Sequence, residues 1–316
     1  MDTRIGVDLG GTNIAAAAVD SGGLIVSRVS VPTNAGAGAG AVMEGLLKVC
    51  GMIVSDTGCV PESVGIGVPG TVNTAAGEVI FTPNLPVSGV NITDAIRKKL
   101  GCPVYLGNDA NCAALGEATA GSARGVHCAV MITLGTGLGG GVVVGGKLHT
   151  GLSGAAGELG HMVISAGGRR CGCGRLGCWE TYASATGLVV TALEAMKSHD
   201  SGIMSQMCAG DTSRLDGRLI FKASRVGDKA ACIAVAQYIS HLAEGIANII
   251  NILEPDVICV GGGISQEWNS IEKPLLAAVN LDKYTSHSEN VPSTRIVRAE
   301  LGNDAGIIGA AMLGIL

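Results

Sequence analysis

The sequence predicts an α/β fold in which one architectural unit occurs twice. Apolar segments of strand length alternate with segments of helical spacing along most of the 316 residues, which is typical of an α/β sheet. An apolar strand that runs into a glycine turn and continues as a second strand occurs near the N-terminus and again from residue 126. The 50 glycines cluster in such turns without a fixed period, which excludes a collagen-like chain.

The first unit is predicted to open with three antiparallel strands, because short apolar runs alternate there with tight turns. A helix follows in GAGAGAVMEGLLKVCGMIVSD, and SVGIGVPG is a buried strand by its glycine and valine content. VNITDAIRKKLG is a short helix with Asn91 or Thr93 as its N-cap and Gly101 as its stop. CPVYLGND is a further strand, and a helix begins at its carboxyl end.

The second unit begins with HCAVMITLGTG and LGGGVVVGGKLH, two predicted strands around a glycine turn. After residue 181 the pattern becomes helical, and a long helix over 229–253 ends before Pro255. Its apolar face suits either the core or an interface, and we favour the core. DVICVGGGI is a third strand, and the helix in NDAGIIGAAMLGIL is expected to pack back on the first unit.

Composition excludes several classes of function. The net charge is −5 and the basic residues are scattered, so no surface for a nucleic acid is expected. The N-terminus reads directly into a strand, and no later run reaches about 18 uncharged apolar residues, so we expect a cytoplasmic protein with no membrane partner. The odd count of 11 cysteines fits reduced thiols and is compatible with a metal site.

Three glycine turns follow apolar strands, namely DLGGTN (8–13), LGTGLGGG (134–141) and VGGGI (260–264). Turns without side chains let backbone N–H groups approach an anion, and phosphate is the obvious one. No turn has the lysine of a Walker motif or the spacing of a dinucleotide fingerprint. Each alone is ordinary hairpin chemistry, whereas together, on repeated units, they favour a nucleotide held in a cleft between domains.

Asp8 lies inside an apolar strand just before the first turn. An unpaired carboxylate there would cost several kcal/mol, so a nearby cation would explain its presence. Mg²⁺ is the natural choice because proteins hold it through carboxylates, water and nucleotide phosphates. The alternative is that Asp8 accepts hydrogen bonds from its own turn.

The motifs DLGGTN, LGTGLGGG, GELGH and CGCGRLGCWE, in this order over nearly the whole chain, resemble those of the ROK family. These are sugar kinases of the actin-like ATPase (ribonuclease H-like) fold, and the motifs are most similar to those of its bacterial glucokinases. The resemblance implies two duplicated βββαβα domains with ATP and sugar in the cleft between them. We expect a small domain of residues 1–107 plus 302–316, a large domain of residues 108–301 with a zinc-binding loop, and a homo-oligomer, dimer or tetramer.

The turns can then be assigned to the nucleotide. We predict that ATP with Mg²⁺ lies on the first and second turns, with its adenosine near the third. The predicted nucleotide-binding residues are Asp8, Gly10, Gly11, Thr12, Asn13, Thr133, Gly135, Thr136, Gly137, Gly261, Gly262 and Gly263.

One short segment contains a set of metal ligands. His161, Cys171, Cys173 and Cys178 provide one nitrogen and three sulfurs, which suits tetrahedral zinc, and the family's zinc site has the same spacing. Protein ligands fill all four positions, so the zinc is expected to be structural and to order a loop. Without metal, three thiols in a glycine- and arginine-rich loop would invite oxidation.

The resemblance also supplies the sugar contacts. Glu158, His161 and Glu180 flank the predicted metal site and match residues that contact hexose hydroxyls in ROK glucokinases. Carboxylates are strong acceptors for hydroxyls, although solvated loop carboxylates are the alternative. His161 could use one ring nitrogen for zinc and the other toward the sugar. Asn84, in the loop FTPNLP, matches another hexose contact, but the chain continues VSG where many relatives have Gly-Trp.

The candidate base follows a strand. Asn108 and Asp109 lie where the strand CPVYLGND ends and a helix begins, at the edge where α/β proteins bind ligands. Asp109 at a helix start is by default an N-cap, and that alternative stays open. The resemblance implies instead that Asp109 accepts the proton of the sugar hydroxyl and that Asn108 contacts the sugar.

The predicted function is ATP-dependent phosphorylation of glucose to glucose 6-phosphate. Within the family, the alternatives are an N-acetylmannosamine or N-acetylglucosamine kinase and a fructokinase, because they share most of these motifs. A ROK-type sugar-responsive repressor is disfavoured, because only seven residues precede Asp8 and a helix-turn-helix domain is expected ahead of that turn. A sugar-binding protein without catalysis would need a broken base or broken phosphate turns.

Overall fold

The computed structural model describes residues 3–287 and 293–315. Its strands and helices alternate as the sequence predicts. The strands are β1 Arg4–Leu9, β2 Asn13–Val19, β3 Ile25–Pro32, β4 Val64–Val68, β5 Thr71–Asn73, β6 Glu78–Phe81, β7 Val90–Asn91, β8 Val104–Asn108, β9 Cys128–Leu134, β10 Leu138–Val144, β11 Lys147–Leu148, β12 Val257–Gly261 and β13 Arg295–Arg298. The helices are α1 Ala39–Thr57, α2 Thr93–Leu100, α3 Asp109–Ala120, α4 Glu180–Ala183, α5 Ala185–Met196, α6 Gly202–Met207, α7 Gly217–Arg225, α8 Lys229–Leu253, α9 Trp268–Asp282 and α10 Ala305–Ala311.

Two five-stranded sheets are built in the same way. Their strand orders are β3-β2-β1-β4-β8 and β11-β10-β9-β12-β13. In each sheet the first three strands are antiparallel, and the last two run parallel to the first strand of the unit. The duplicated α/β architecture predicted from the recurring strand-turn-strand pattern is therefore confirmed.

Local signals begin and end the helices. Asn91 Oδ1 accepts hydrogen bonds from the N–H groups of Thr93 and Asp94 at the start of α2, and Gly101 ends that helix in the left-handed region at φ 70°. The Asp228 side chain caps α8 by accepting from Ala231 N at 2.9 Å. These are the positions where unpaired N–H groups and carbonyls of a helix need partners.

Helices α3 and α10 pack against each other at the centre of the molecule, because each follows a strand of one sheet but packs on the other sheet. Helix α3 follows β8 but packs on β9 and β10, while α10 follows β13 but packs on β1 and β4, as predicted. Glycines allow the close approach: a Cβ at Gly309 would collide with the carbonyl of Cys112, and one at Gly116 with that of Ala305. The predicted domains, 1–107 plus 302–316 and 108–301, require this exchange; their boundaries stay a prediction.

Helix α8 forms much of the second core. By length and composition it is apolar enough to cross a membrane, but 61% of its most apolar stretch is buried inside the protein. Its inward face, which includes Tyr238, Leu242 and Ile246, packs against the second sheet and the neighbouring helices α5, α7 and α9. This is the packing of a core helix, the alternative favoured from the sequence.

A third, three-stranded sheet, β5-β6-β7, is inserted between β4 and α2. Two of its strands have three residues or fewer, and their apolar pattern is too short to distinguish from a loop in the sequence. The insertion lies beside β8, so it borders the end of the first sheet where α3 begins.

Candidate functional site

A cavity of about 610 Å³ lies at the carboxyl ends of β4, β8 and β9. Parallel strands that end at the same edge leave loops and helix starts around one space, which is why α/β proteins bind ligands there. Nine residues predicted from the sequence line it: Asn108, Asp109, Thr133, Gly135, Gly137, Glu158, His161, Glu180 and Gly262.

Asn108, and not Asp109, is the N-cap of α3. Its Oδ1 accepts a hydrogen bond from Asn111 N at 3.0 Å, and its Nδ2 donates to the carbonyl of Gly70 at 3.0 Å. Asp109 is the first helical residue, and one of its carboxylate oxygens accepts from Ala110 N at 2.8 Å. The capping alternative for Asp109 is therefore wrong, and its carboxylate is held at the cavity without serving as the cap.

Three carboxyl groups in or beside the cavity, those of Asp8, Asp109 and Glu158, have a raised pKa. Burial raises the pKa of Asp109, against the opposing effect of its hydrogen bonds with Ala110 N and Asn108. Burial, together with the nearby charge of Asp109, raises the pKa of Asp8 from 3.8 to about 6. Burial also raises the pKa of Glu158, which His161 opposes and the charges of Asp109 and Glu180 reinforce. A cation among these groups would relieve their repulsion.

The first two glycine turns expose backbone donors. Gly10 N donates to Asn13 O at 3.0 Å and Gly135 N to Gly137 O at 3.0 Å, which closes each turn on itself. Within the described chain, the N–H groups of Gly11, Thr12, Thr136 and Gly137 donate to no backbone carbonyl. Such groups at a strand-turn-strand corner suit an anion.

The second turn is attached to the start of α5. Ala185 N donates to the carbonyl of Gly135 at 2.8 Å, and Thr186 Oγ1 donates to that of Thr136 at 2.8 Å. Both of these carbonyls are thus held by residues at the start of α5. The glycines after the turn serve packing, because Gly139 and Gly141 leave room for Ala110 and Ala114 of α3.

Glu180 connects this turn to the cysteine-rich segment. One carboxylate oxygen accepts a hydrogen bond from Leu138 N at 3.0 Å, and the other lies 3.7 Å from Cys171 Sγ. A Cβ at Gly137 would lie 2.5 Å from the first oxygen, so any larger residue there would have to displace this carboxylate.

The four predicted metal ligands converge. Their ligand atoms, from His161, Cys171, Cys173 and Cys178, all lie within 4.8 Å of one another. Cys173 Sγ lies 3.6 Å from Cys178 Sγ, and His161 Nδ1 lies 3.6 Å from Cys171 Sγ. Tetrahedral zinc with its usual bond lengths separates two sulfurs by about 3.8 Å and a sulfur from a nitrogen by about 3.6 Å. The donor set and its spacing therefore fit zinc.

The two nitrogens of His161 point to different neighbours. Nδ1 faces the cysteines, whereas Nε2 lies 4.0 Å from Glu158 Oε2, on the side of the cavity. This orientation is the one that the dual use predicted from the sequence requires.

Packing behind the segment holds it on α4, α5 and α8. Trp179, between Cys178 and Glu180, is fully buried, lies against Gly245, and donates from Nε1 to the carbonyl of His241 at 2.7 Å. Arg169 donates to the carbonyl of Thr181 at 3.0 Å and pairs with Glu194.

A second cavity, of about 820 Å³, adjoins the first at Gly262. All three glycines of the third turn line it, and Gly262, at φ 83°, lies so close to the backbone of Leu134 that a side chain would collide. The sequence reasoning missed its other walls, which include Ser122, Arg218, Gln266, Arg298 and Asn303. These residues belong to separate segments, and no motif marks them.

Some predicted residues lie outside both cavities. Gly10 to Asn13 form a largely exposed turn beside the first sheet, and Asp8 approaches Asp109 from that side. Thr136 is at the tip of the second turn. Asn84 is exposed and does not line the cavity, whereas its neighbour Pro83 and Phe81 do.

Pro69, Gly70 and Thr71 also line the first cavity and were missed from the sequence. They follow β4, the strand next to β8. The rule that ligands bind at the carboxyl ends of parallel strands, applied to β8, would have found them at β4 as well.

Comparison with known proteins identifies the family. The profile of the ROK family matches residues 4–315. The chain belongs to the ROK family. The chain is also similar to the glucokinase of Thermotoga maritima, with 38% identity over 98% of this chain and 96% of that protein. The family resemblance read from the four motifs, and with it the actin-like ATPase fold, is confirmed.

Two further similar proteins have names that mention a ligand or substrate. A crystal structure of a ROK family glucokinase from Streptomyces griseus in complex with glucose and AMPPNP is 34% identical, with a TM-score of 0.81 and 98% of each chain covered. The N-acetyl-D-glucosamine kinase of Salmonella paratyphi A is also 34% identical, over 98% of each chain. Overall identity alone therefore does not distinguish a glucose kinase from an N-acetylhexosamine kinase.

Proposed function

We propose that this ROK family protein transfers the γ-phosphoryl group of ATP to the primary hydroxyl of glucose, giving glucose 6-phosphate and ADP. The observation that carries the proposal is the pair of adjoining cavities. One contains Asp109 with Glu158, His161 and Glu180, and the other contains the third glycine turn. They meet at Gly262, so a nucleotide in the second cavity would direct its phosphates toward a sugar in the first.

Asp109 is the proposed general base. As the sugar O6 forms its bond to the γ-phosphorus, the bond between that phosphorus and the β–γ bridging oxygen breaks and ADP leaves with the electron pair. The O6 proton passes to the free carboxylate oxygen of Asp109, while the other is held by Ala110 N. Burial, which raises the pKa of Asp109, makes its carboxylate a better proton acceptor.

Glu158, His161 and Glu180 are proposed to bind the other sugar hydroxyls, with Asn108 beside Asp109. The carboxylate oxygens accept hydrogen bonds from hydroxyls, and His161 Nε2 faces the same space. Asn84 does not line the cavity, so it would contact the sugar there only if its loop moved.

Zinc is the proposed resident metal of the cysteine-rich segment. His161 Nδ1 and the sulfurs of Cys171, Cys173 and Cys178 would hold it. A bound zinc with four protein ligands supplies structure only, since no position is left for a reacting water. With the metal bound, the cysteine-rich segment would keep the side chains of Glu180 and His161 oriented at the cavity.

Mg²⁺ is proposed to accompany ATP near Asp8. The partly buried Asp8 carboxylate lies near the charge of Asp109, and this repulsion favours a cation beside the phosphates. The exposed N–H groups of Gly11, Thr12, Thr136 and Gly137 are proposed to contact the phosphates, and Thr133 to line the same path. Gly261 to Gly263 are proposed to contact adenosine.

An ADP-release assay across glucose, mannose, fructose, N-acetylglucosamine and N-acetylmannosamine tests this proposal. We expect glucose to give the highest kcat/KM, and an N-acetylhexosamine or fructose is the alternative acceptor. If no sugar raises ADP release above the background without sugar, the kinase proposal fails. A cytoplasmic location, a dimer or tetramer, and the absence of nucleic-acid and membrane partners stay predictions.

A further inference from the structure

Helix α3 connects the two cavities. It begins with Asp109 at the first cavity, and Glu117 lies eight residues later on the same helix. At 1.5 Å per residue, the two carboxylates are carried on backbone positions about 12 Å apart. Glu117 has only 1% of its surface exposed, and the mechanism proposed above does not use it.

The carboxylate of Glu117 joins two distant segments of the chain. One oxygen accepts a hydrogen bond from Leu301 N at 2.8 Å. The other accepts from Ser122 N at 2.8 Å and from Glu300 N at 3.2 Å. A carboxylate can accept on both oxygens, whereas a glutamine side chain would turn an N–H group toward one set of N–H donors.

These two segments form a wall of the second cavity. Ser122, Ala299 and Glu300 all line it, and Ser122 Oγ also donates to the carbonyl of Arg298 at 3.0 Å. Glu117 holds residues 122 and 300–301 at the end of α3, and these bonds therefore fix the shape of the wall.

We propose that Glu117 is a positioning residue for the nucleotide, an inference that rests on the proposed function. Through its three N–H partners it fixes the wall of the second cavity to the helix that carries Asp109. The phosphoryl donor and the base are thereby held on one rigid element, and loss of the carboxylate loosens the donor side alone.

The test uses Glu117→Gln in the full-length protein, with Glu244→Gln as a matched control on the exposed face of α8. We expect the KM for ATP and the Kd for the fluorescent analogue trinitrophenyl-ATP to rise roughly five- to thirtyfold. The KM for glucose and kcat at saturating ATP should stay within about twofold, and the control should match the wild type. Hydrogen exchange of the amides of Glu300 and Leu301 should be faster in the variant.

Other outcomes overturn the inference. Equal losses for ATP and glucose, or a lower melting temperature with unchanged trinitrophenyl-ATP affinity, would make Glu117 merely structural. If the wild type binds trinitrophenyl-ATP but phosphorylates no sugar, the proposed function fails, and the analogue's affinity and the exchange rates still decide the role of Glu117. A wild type that does not bind the analogue overturns both.

Should Glu117→Gln fail to fold, Glu117→Asp takes its place. This change keeps the carboxylate but draws it back by one methylene, which lengthens its bonds to the N–H groups of Ser122, Glu300 and Leu301. We expect weaker trinitrophenyl-ATP binding, by about two- to fivefold, together with faster exchange at Glu300 and Leu301. Unchanged affinity and exchange in this variant overturn the inference.

Discussion

Replacing Asp8 by asparagine is expected to make the folded protein more stable at neutral pH while weakening its use of ATP. Burial and the nearby charge of Asp109 raise the pKa of Asp8 from 3.8 to about 6. A difference of about two pKa units between the folded and unfolded chains corresponds to about 3 kcal/mol. At neutral pH this is the free energy by which the ionised carboxylate lowers the stability of the folded protein.

The sign of the pH dependence follows from the direction of the shift. The folded protein binds the Asp8 proton more tightly than the unfolded chain does. Protonated Asp8 therefore contributes fully to the free energy of unfolding below about pH 3.8, and this contribution is lost as the pH rises to about 6. Above that pH the cost is constant. Asp8→Asn removes this dependence, so the difference between variant and wild type should grow between pH 4.5 and 7 and then level off.

Urea unfolding and thermal melts from pH 4.5 to 8, without ligand, measure this difference. Burying the new amide costs about 1–2 kcal/mol, so we expect the free energy of unfolding of the variant to exceed that of the wild type by about 1–2 kcal/mol at pH 7.5. Glu244→Gln, at an exposed position, is the control. Mg²⁺ with ATP should stabilise the wild type more than the variant. A variant less stable than the wild type at pH 7.5, or a difference independent of pH, would refute the reasoning.

Three further predictions concern the site. Asp109→Asn should lower kcat by about 10²–10⁴-fold, while the affinity for glucose, measured by calorimetry, should stay nearly unchanged. If the variant turns over as fast as the wild type, Asp109 has no catalytic role. Cys173→Ser should lower the zinc content of the purified protein, shift the fluorescence of the buried Trp179 and raise the KM for glucose; full zinc content would contradict the ligand assignment. Gly137→Ala should displace Glu180 and raise the KM values for glucose and ATP by about tenfold or more, and unchanged kinetics would show that the contact is unimportant.

Much of the fold was predictable because its signals are local. The alternation of apolar residues, the glycines that end helices α1 to α3 and the spacing of His161 with three cysteines are properties of short segments. The recurrence of strand, glycine turn and strand predicted the duplication that the two strand orders confirm. The short strands of the inserted sheet carry too few residues for such a signal.

The candidate site was predictable only in part. The resemblance located Asp109, Glu158, His161 and Glu180, and the structure brings all four to one cavity. The sequence could not reveal that Asn108 is the N-cap of α3, because the identity of the cap depends on where the strand ends and the helix begins to within one residue. Nor could it place Asn84, whose loop position depends on packing beyond its own segment.

The sequence by itself determined the order of the elements, the chemistry of the metal ligands and the glycine turns suited to phosphate. Only the tertiary structure decided that α3 and α10 exchange sheets, that two cavities meet at Gly262, and that Glu117 joins residue 122 to residues 300–301. The physical reason is range: periodicity and capping act within a few residues along the chain, whereas these contacts join segments more than a hundred residues apart and exist only once both cores have packed.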